Sequence, residues 1–341
     1  MEINEGLIIG KYKFQCSLGK GNFGVVWKAL HIETQEIVAI KMVNKAIFID
    51  HPKFESYLLA ETKYLPLIKH ENVVRLIEFF EDKSTLYFVI EYCNFGDLGI
   101  YLKSKLRIPE QEALGYLKQL ISAFQILNSH KIMHRDLKLE NILLTKIGND
   151  EKIIIKLCDF DFLKKGEIGS TYLGTCLYMA PEILKYNKYY TNKTDLWSLG
   201  VVLYKILYGN YPFRGKTESN LIQNIENMQV KYPEEYEISE FSVKLMKDIF
   251  QIDPEKRISW EKVYELFDLP AIPLFNSNIK EEKKDDNEKE QENEGNHYRN
   301  ANVKQGILIE GPMKLKKEEY RKNEKIEEKG SSCLWFRRWF R

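Results

Sequence analysis

From about Tyr12 to Ile90 the chain is built of short runs of β-branched and aromatic residues. Val25 to Trp27, Ile37 to Ile40 and Leu86 to Ile90 read as strands. One helical stretch, roughly Pro52 to Ile68, interrupts them. From Asp97 to Leu269 the apolar residues recur at helical spacing, as in Ala113 to Leu127 and Leu196 to Leu207. The pattern predicts a small sheet-rich lobe followed by a larger helical one.

After Pro270 and Pro273 the character changes. Residues 281–294 (EEKKDDNEKEQENE) carry almost no apolar side chain and cannot bury enough surface to offset the entropy of ordering, so they read as a solvated linker. The last stretch, SSCLWFRRWFR, changes again, to aromatics and arginines with no acid. Over the whole chain 51 Lys and Arg balance 50 Asp and Glu, a net charge of +1, which argues against a protein that coats nucleic acid. Five scattered cysteines without a C-x-x-C pair argue against a disulfide framework or a zinc site. The N-terminus lacks a secretory signal and no apolar run reaches the roughly 20 residues that span a bilayer, so an intracellular, reducing location is expected.

Three motifs carry candidate chemistry. Gly19, Gly21 and Gly24, followed by Val26, form a G-x-G-x-x-G-x-V run between two strand-like segments; glycines there allow a tight turn and a close approach of backbone N–H groups to phosphate, although a glycine-rich hairpin is an equal reading. Val38 to Lys41 ends an apolar strand on a lysine that either snorkels at an edge or pairs with Glu61 on the following helix. The third motif is the strongest. His134-Arg135-Asp136-Leu137-Lys138-Leu139-Glu140-Asn141, followed by Cys158-Asp159-Phe160, sets acids, an amide and a lysine among apolar residues, which suits metal binding and orientation of a hydroxyl.

With these motifs in order, and with Ala180-Pro181-Glu182, Asp195 to Gly200 and Arg257 downstream, the chain resembles the eukaryotic protein kinase family from Tyr12 to about Leu269. The resemblance implies an α+β, two-lobed kinase fold with an N-lobe of about 12–92 and a C-lobe of about 93–269, a charged linker over 270–329 and an aromatic, basic peptide over 330–341. It implies ATP and two magnesium ions as cofactors. Lys41, held by Glu61, would bind the α and β phosphates; Asn141 and Asp159 would bind the metals. Asp136 would orient or accept the proton of the hydroxyl, and Lys138 would neutralise the γ phosphate. Val26, Ala39 and Leu143 would sandwich adenine, with Glu91 and Cys93 as hinge residues behind Ile90. Glu182 with Arg257 would tie down the substrate-binding segment, and Asp195 would accept backbone hydrogen bonds from the catalytic loop. Lys138 and the Gly174-Thr175 pair are similar to serine/threonine kinases, so protein Ser/Thr hydroxyls are the expected acceptors.

The chain departs from the family pattern at three places. Asp161 stands where the family has glycine after Asp-Phe, which leaves open a scaffold that binds nucleotide or partners without efficient turnover. Pro66 is expected to displace Leu65 from an internal apolar stack with Leu76, His134 and Phe160, and Cys176 replaces a usual proline. Thr171 is the expected activating phosphorylation site, with Arg135 and Lys164 as its cationic partners. Asp97 and Glu140 suggest a mild preference for basic substrates, although Lys205 stands at a third position where an acid would be needed. The C-terminal peptide around Cys333 either contacts membrane or folds back on the kinase domain, so the protein is expected to be cytoplasmic or peripheral to a membrane.

Overall fold

The computed structural model describes residues 4–20, 24–48, 62, 65–148, 152–159, 176–185 and 191–272, with the backbone of 49 and 50. Strands β1 (Ile8–Ile9), β2 (Tyr12–Lys20), β3 (Gly24–His31), β4 (Ile37–Asn44), β5 (Leu76–Glu81) and β6 (Thr85–Glu91) form one antiparallel sheet in the order β1-β2-β3-β4-β6-β5. Alternation divides its faces. Val38 and Ile40 of β4 pack with Tyr12, Phe14, Ala29, Tyr87 and Val89, which leaves Ala39 and Lys41 on the opposite face. The sheet begins before Tyr12, because β1 pairs with β2.

The second lobe holds α2 (Leu98–Lys105), α3 (Glu110–Ser129), the hairpin β7 (Ile142–Lys146) and β8 (Ile153–Leu157), α4 (Pro181–Leu184), α5 (Lys193–Tyr208), α6 (Glu218–Glu226), α7 (Glu240–Ile249) and α8 (Trp260–Leu266). A short α1 (Ile47–Asp50) lies in the first lobe. Helix α5 is apolar nearly all round and so takes the centre, with 14 of its 16 residues buried. The apolar face of α3 packs on it with Leu120, Phe124 and Leu127 fully buried.

The expected helix from Pro52 to Ile68 lies largely outside the described residues. Within that stretch Leu65–Leu67 forms a 3-10 turn, and one expectation is corrected: Leu65 is buried in the main core, against which Leu76 packs. Pro66 sits early in the turn, where a backbone donor has no partner within the turn, so its missing N–H does not push Leu65 out.

Candidate active site

The inner face of the sheet supplies the first set of residues. Val26 pairs across the strands with Lys41, and Ala39 with Ile90, which puts Val26, Ala39 and Lys41 on one face. Gly24 opens β3 against β4 so closely that a Cβ would lie 1.7 Å from Met42 O; only glycine fits there. Gly19 pairs with Val26 after an irregularity in β2, and Gly21 lies outside the described residues. Ile90 and Leu143 pack against a buried cluster of Val74, Cys93 and Cys158, where burial pushes the Cys93 thiol up to about 11. Glu91 is anchored rather than exposed: Lys156 Nζ reaches its carboxylate at 2.9 Å, and the Arg75 N–H donates to it at 2.7 Å. Lys156 escaped the sequence reading. Its only signal was a lysine inside the apolar run Ile153 to Leu157.

The second set comes from the loop after α3. Asp195, fully buried in α5, accepts the His134 and Arg135 N–H groups at 2.8 and 2.7 Å. Burial raises its carboxyl, and these donors and the nearby positive charge oppose that rise. His134 Nδ1 accepts from the Asp136 N–H at 3.3 Å, so the ring proton sits on Nε2 and is donated to Cys158 O at 2.9 Å. One imidazole thereby joins the loop to the strand that leads into Asp159.

The Asp136 carboxylate is held from two sides, by Lys138 Nζ at 2.7 Å and by the Asn141 amide at 3.2 Å; the same amide donates to Asp136 O at 2.8 Å. Burial disfavours the Lys138 ammonium, but Asp136 outweighs it and the pKa rises. Asp159 meets Lys41 Nζ at 3.1 Å, and that charge holds its carboxyl below the usual range against burial. Arg135 in that loop and Asp159 after β8 both take left-handed backbone conformations, φ 67° and 55°, so the site stores conformational strain at these two positions.

Farther out, Arg257 grips Glu182 through two parallel hydrogen bonds of 2.8 and 3.0 Å, both partners buried, and also donates to Lys193 O and Gln251 O. The structure thus brings together Val26, Ala39, Lys41, Ile90, Glu91, Cys93, Leu143, Asp136, Lys138, Asn141 and Asp159 in one region between the sheet and the helices. Glu61, Thr171, Lys164 and Asp161 lie outside the described residues, as does the expected contact of Lys41 with Glu61.

Residues 12–266 match the model of the protein kinase domain. The chain belongs to the protein kinase family. Among curated proteins it is 36% identical over 263 residues to "Serine/threonine-protein kinase atg1" of Dictyostelium discoideum, covering 75% of this chain and 39% of that one. It is 34% identical over 264 residues to "Serine/threonine-protein kinase ATG1b" of Arabidopsis thaliana, covering 76% of this chain and 36% of that one. To "Serine/threonine-protein kinase SIK1" of Mus musculus it is 37% identical over 256 residues, covering 74% and 32%. The chain spans well under half the length of these relatives, and the stretch it shares with them is close in length to the matched protein kinase domain.

Proposed function

We propose that the protein is an ATP-dependent serine/threonine protein kinase. The observation that carries the reading is Asp136, whose carboxylate is fixed by Lys138 and Asn141 beside an Asp159 paired with Lys41. The acceptor class is supported by Lys138 and by the names of the relatives.

The residues fit the cofactors that the family implies. Val26, Ala39, Ile90 and Leu143 offer an apolar slot for adenine, with the Glu91 and Cys93 backbone at its edge. Asp159 and Asn141 supply hard oxygen donors suited to magnesium; the Asn141 N–H groups are committed to Asp136, which turns its carbonyl oxygen the other way. Bound magnesium neutralises charge on the phosphates.

The chain's own groups then divide the work. Lys41 places the α and β phosphates. Asp136 orients the substrate hydroxyl and takes its proton as the oxygen attacks. Lys138, already beside Asp136, offsets negative charge on the transferred group. Phosphorylation at Thr171, received by Arg135 and Lys164, is the proposed activation step, and Asp161 is the feature that favours the competing scaffold reading.

Transfer of radiolabel from ATP to a generic protein substrate, followed by phosphoamino-acid analysis, tests this. Asp136→Asn and Lys41→Met are expected to lower turnover by at least about a hundredfold, with the melting transition retained. Wild-type turnover no greater than that of Asp136→Asn, with ATP still bound, would establish the scaffold instead.

A further inference from the structure

One corner of the helical lobe carries a block of positive charge. Lys103 and Lys105 end α2 and Arg107 follows it; Lys205 lies in the last turn of α5; Arg214 and Lys216 occupy the loop before α6. These segments meet. The Ile108 N–H donates to Ile206 O at 2.8 Å, and a Cβ on Gly209 would lie 2.6 Å from Leu106 O.

Among the described residues none of these six cations forms a salt bridge. The acids on adjoining α3 are engaged with hydroxyls: Glu112 accepts from Tyr101 and Tyr116, and Glu110 from Ser239. Helix C-termini account for Lys103, Lys105 and Lys205, whose charges meet the negative ends of α2 and α5. Arg107, Arg214 and Lys216 lie outside any helix and are exposed. Arg214 and Lys216, with Asn220 and Asn224, line a shallow cavity of about 400 Å³ that has no carboxylate in its wall. Burial, Arg214 and Lys103 together depress the Lys205 pKa. Lys205 thus sits in the field of two neighbouring cations, which Glu140 offsets in part, and an anion beside the cavity would be drawn to the same charges.

The patch is continuous with the active site. Lys205 Nζ sits 4.4 Å above the Tyr211 ring, Tyr211 meets Tyr178 edge-on at 5.5 Å, and Glu140, in the catalytic loop, acts electrostatically on Lys138, Tyr178, Tyr211 and Lys205. The whole chain is close to neutral at +1, so this is a local concentration of charge, sized for a short anionic segment rather than a long polyanion.

We propose that this corner is a docking surface for an Asp- or Glu-rich segment of the protein substrate, flanking the acceptor hydroxyl. The inference rests on the kinase reading and adds the substrate class to it. It differs from the mild basic preference expected from Asp97 and Glu140, and the peptide kinetics below decide between the two.

Steady-state kinetics with the full chain and two peptides test it. Both carry the same acceptor core, one flanked by a run of glutamates and the other by alanines. The acidic peptide is expected to show a KM about tenfold lower with kcat within about twofold, and the gap is expected to close near 0.5 M KCl. Arg107→Ser/Arg214→Ser/Lys216→Ser should erase the gap and leave the kinetics of the neutral peptide unchanged, which also reports that the variant is folded. Fluorescence anisotropy of the labelled acidic peptide reads docking without turnover. Absence of turnover would therefore overturn the kinase reading while binding still decides this one. Equal KM values and equal anisotropy for the two peptides, or a gap that survives the triple substitution, would overturn the proposal. So would displacement of the acidic peptide by polyuridylate far below an equal charge concentration, which would assign the surface to nucleic acid.

Discussion

Two carboxylates crowd one point at the mouth of the site. A Cβ on Gly99 would lie 3.0 Å from Asp97 Oδ1 and 3.8 Å from Glu140 Oε1. Burial first, and then the Glu140 charge, push the Asp97 carboxyl up to about 6, although it caps α2 by accepting from the Ile100 N–H at 2.8 Å. The unfolded chain releases this proton near pH 4, whereas the folded protein keeps it until about pH 6, so this group's contribution to stability falls as pH rises through that window. Asn at this position keeps a capping oxygen and cannot ionise. Asp97→Asn is therefore expected to gain stability relative to wild type by up to about 3 kcal/mol between pH 4 and pH 7, read by urea unfolding at several pH values. Parallel pH curves for the two proteins would show that Asp97 does not carry this charge penalty.

At the scale of elements, the position of the catalytic loop depends on how tightly α5 can be enclosed. Gly200 lies where α7 crosses: a Cβ would stand 2.6 Å from Ile249 Cγ2 and 3.0 Å from Phe250 Cε1. Alanine would gain about 1 kcal/mol of helix propensity, but overpacking here costs about 1–3 kcal/mol. Gly200→Ala is expected to lower the melting temperature, and Ile249→Ala in the same chain to recover part of that loss. Recovery identifies the clash as the cause; equal melting temperatures for Gly200→Ala and wild type would refute it. Just beyond that crossing, Arg257 satisfies Glu182 and the carbonyls of Lys193 and Gln251 at once, so the start of α4 is tied to the core by a buried, fully hydrogen-bonded pair.

For the molecule as a whole, the sheet and the helical lobe share the site, and Glu91 with Lys156 joins β6 to β8 behind it. Beyond the described residues the sequence adds a charged linker and the peptide Cys333 to Arg341. Aromatic residues favour the headgroup boundary, and each arginine near an anionic surface contributes about 1 kcal/mol. The full chain is expected to co-sediment with anionic vesicles at low salt, and a chain ending at Lys329 is not. Equal sedimentation would remove membrane contact; higher kinase activity of the shorter chain would favour a tail docked on the kinase domain.

Local pattern determined much of this protein. Alternation in β4 already put Ala39 and Lys41 on one face and Val38 and Ile40 on the other, and the helical spacing of apolar residues over Leu196 to Leu207 marked a helix, because strand and helix periods depend only on neighbours in sequence. The catalytic loop was legible for a similar reason, since Asp136, Lys138 and Asn141 lie close enough along the chain to bond one another directly. What only the tertiary structure decided is which distant groups hold them. The two oxygens of Asp195 on the backbone of His134 and Arg135, the His134 ring on Cys158 O, Lys156 on Glu91, and Lys103 near Lys205 and Arg214 each join segments far apart in sequence. No periodicity encodes such contacts. They follow from packing the lobes until each buried polar group finds a partner, and that is settled by the fold as a whole.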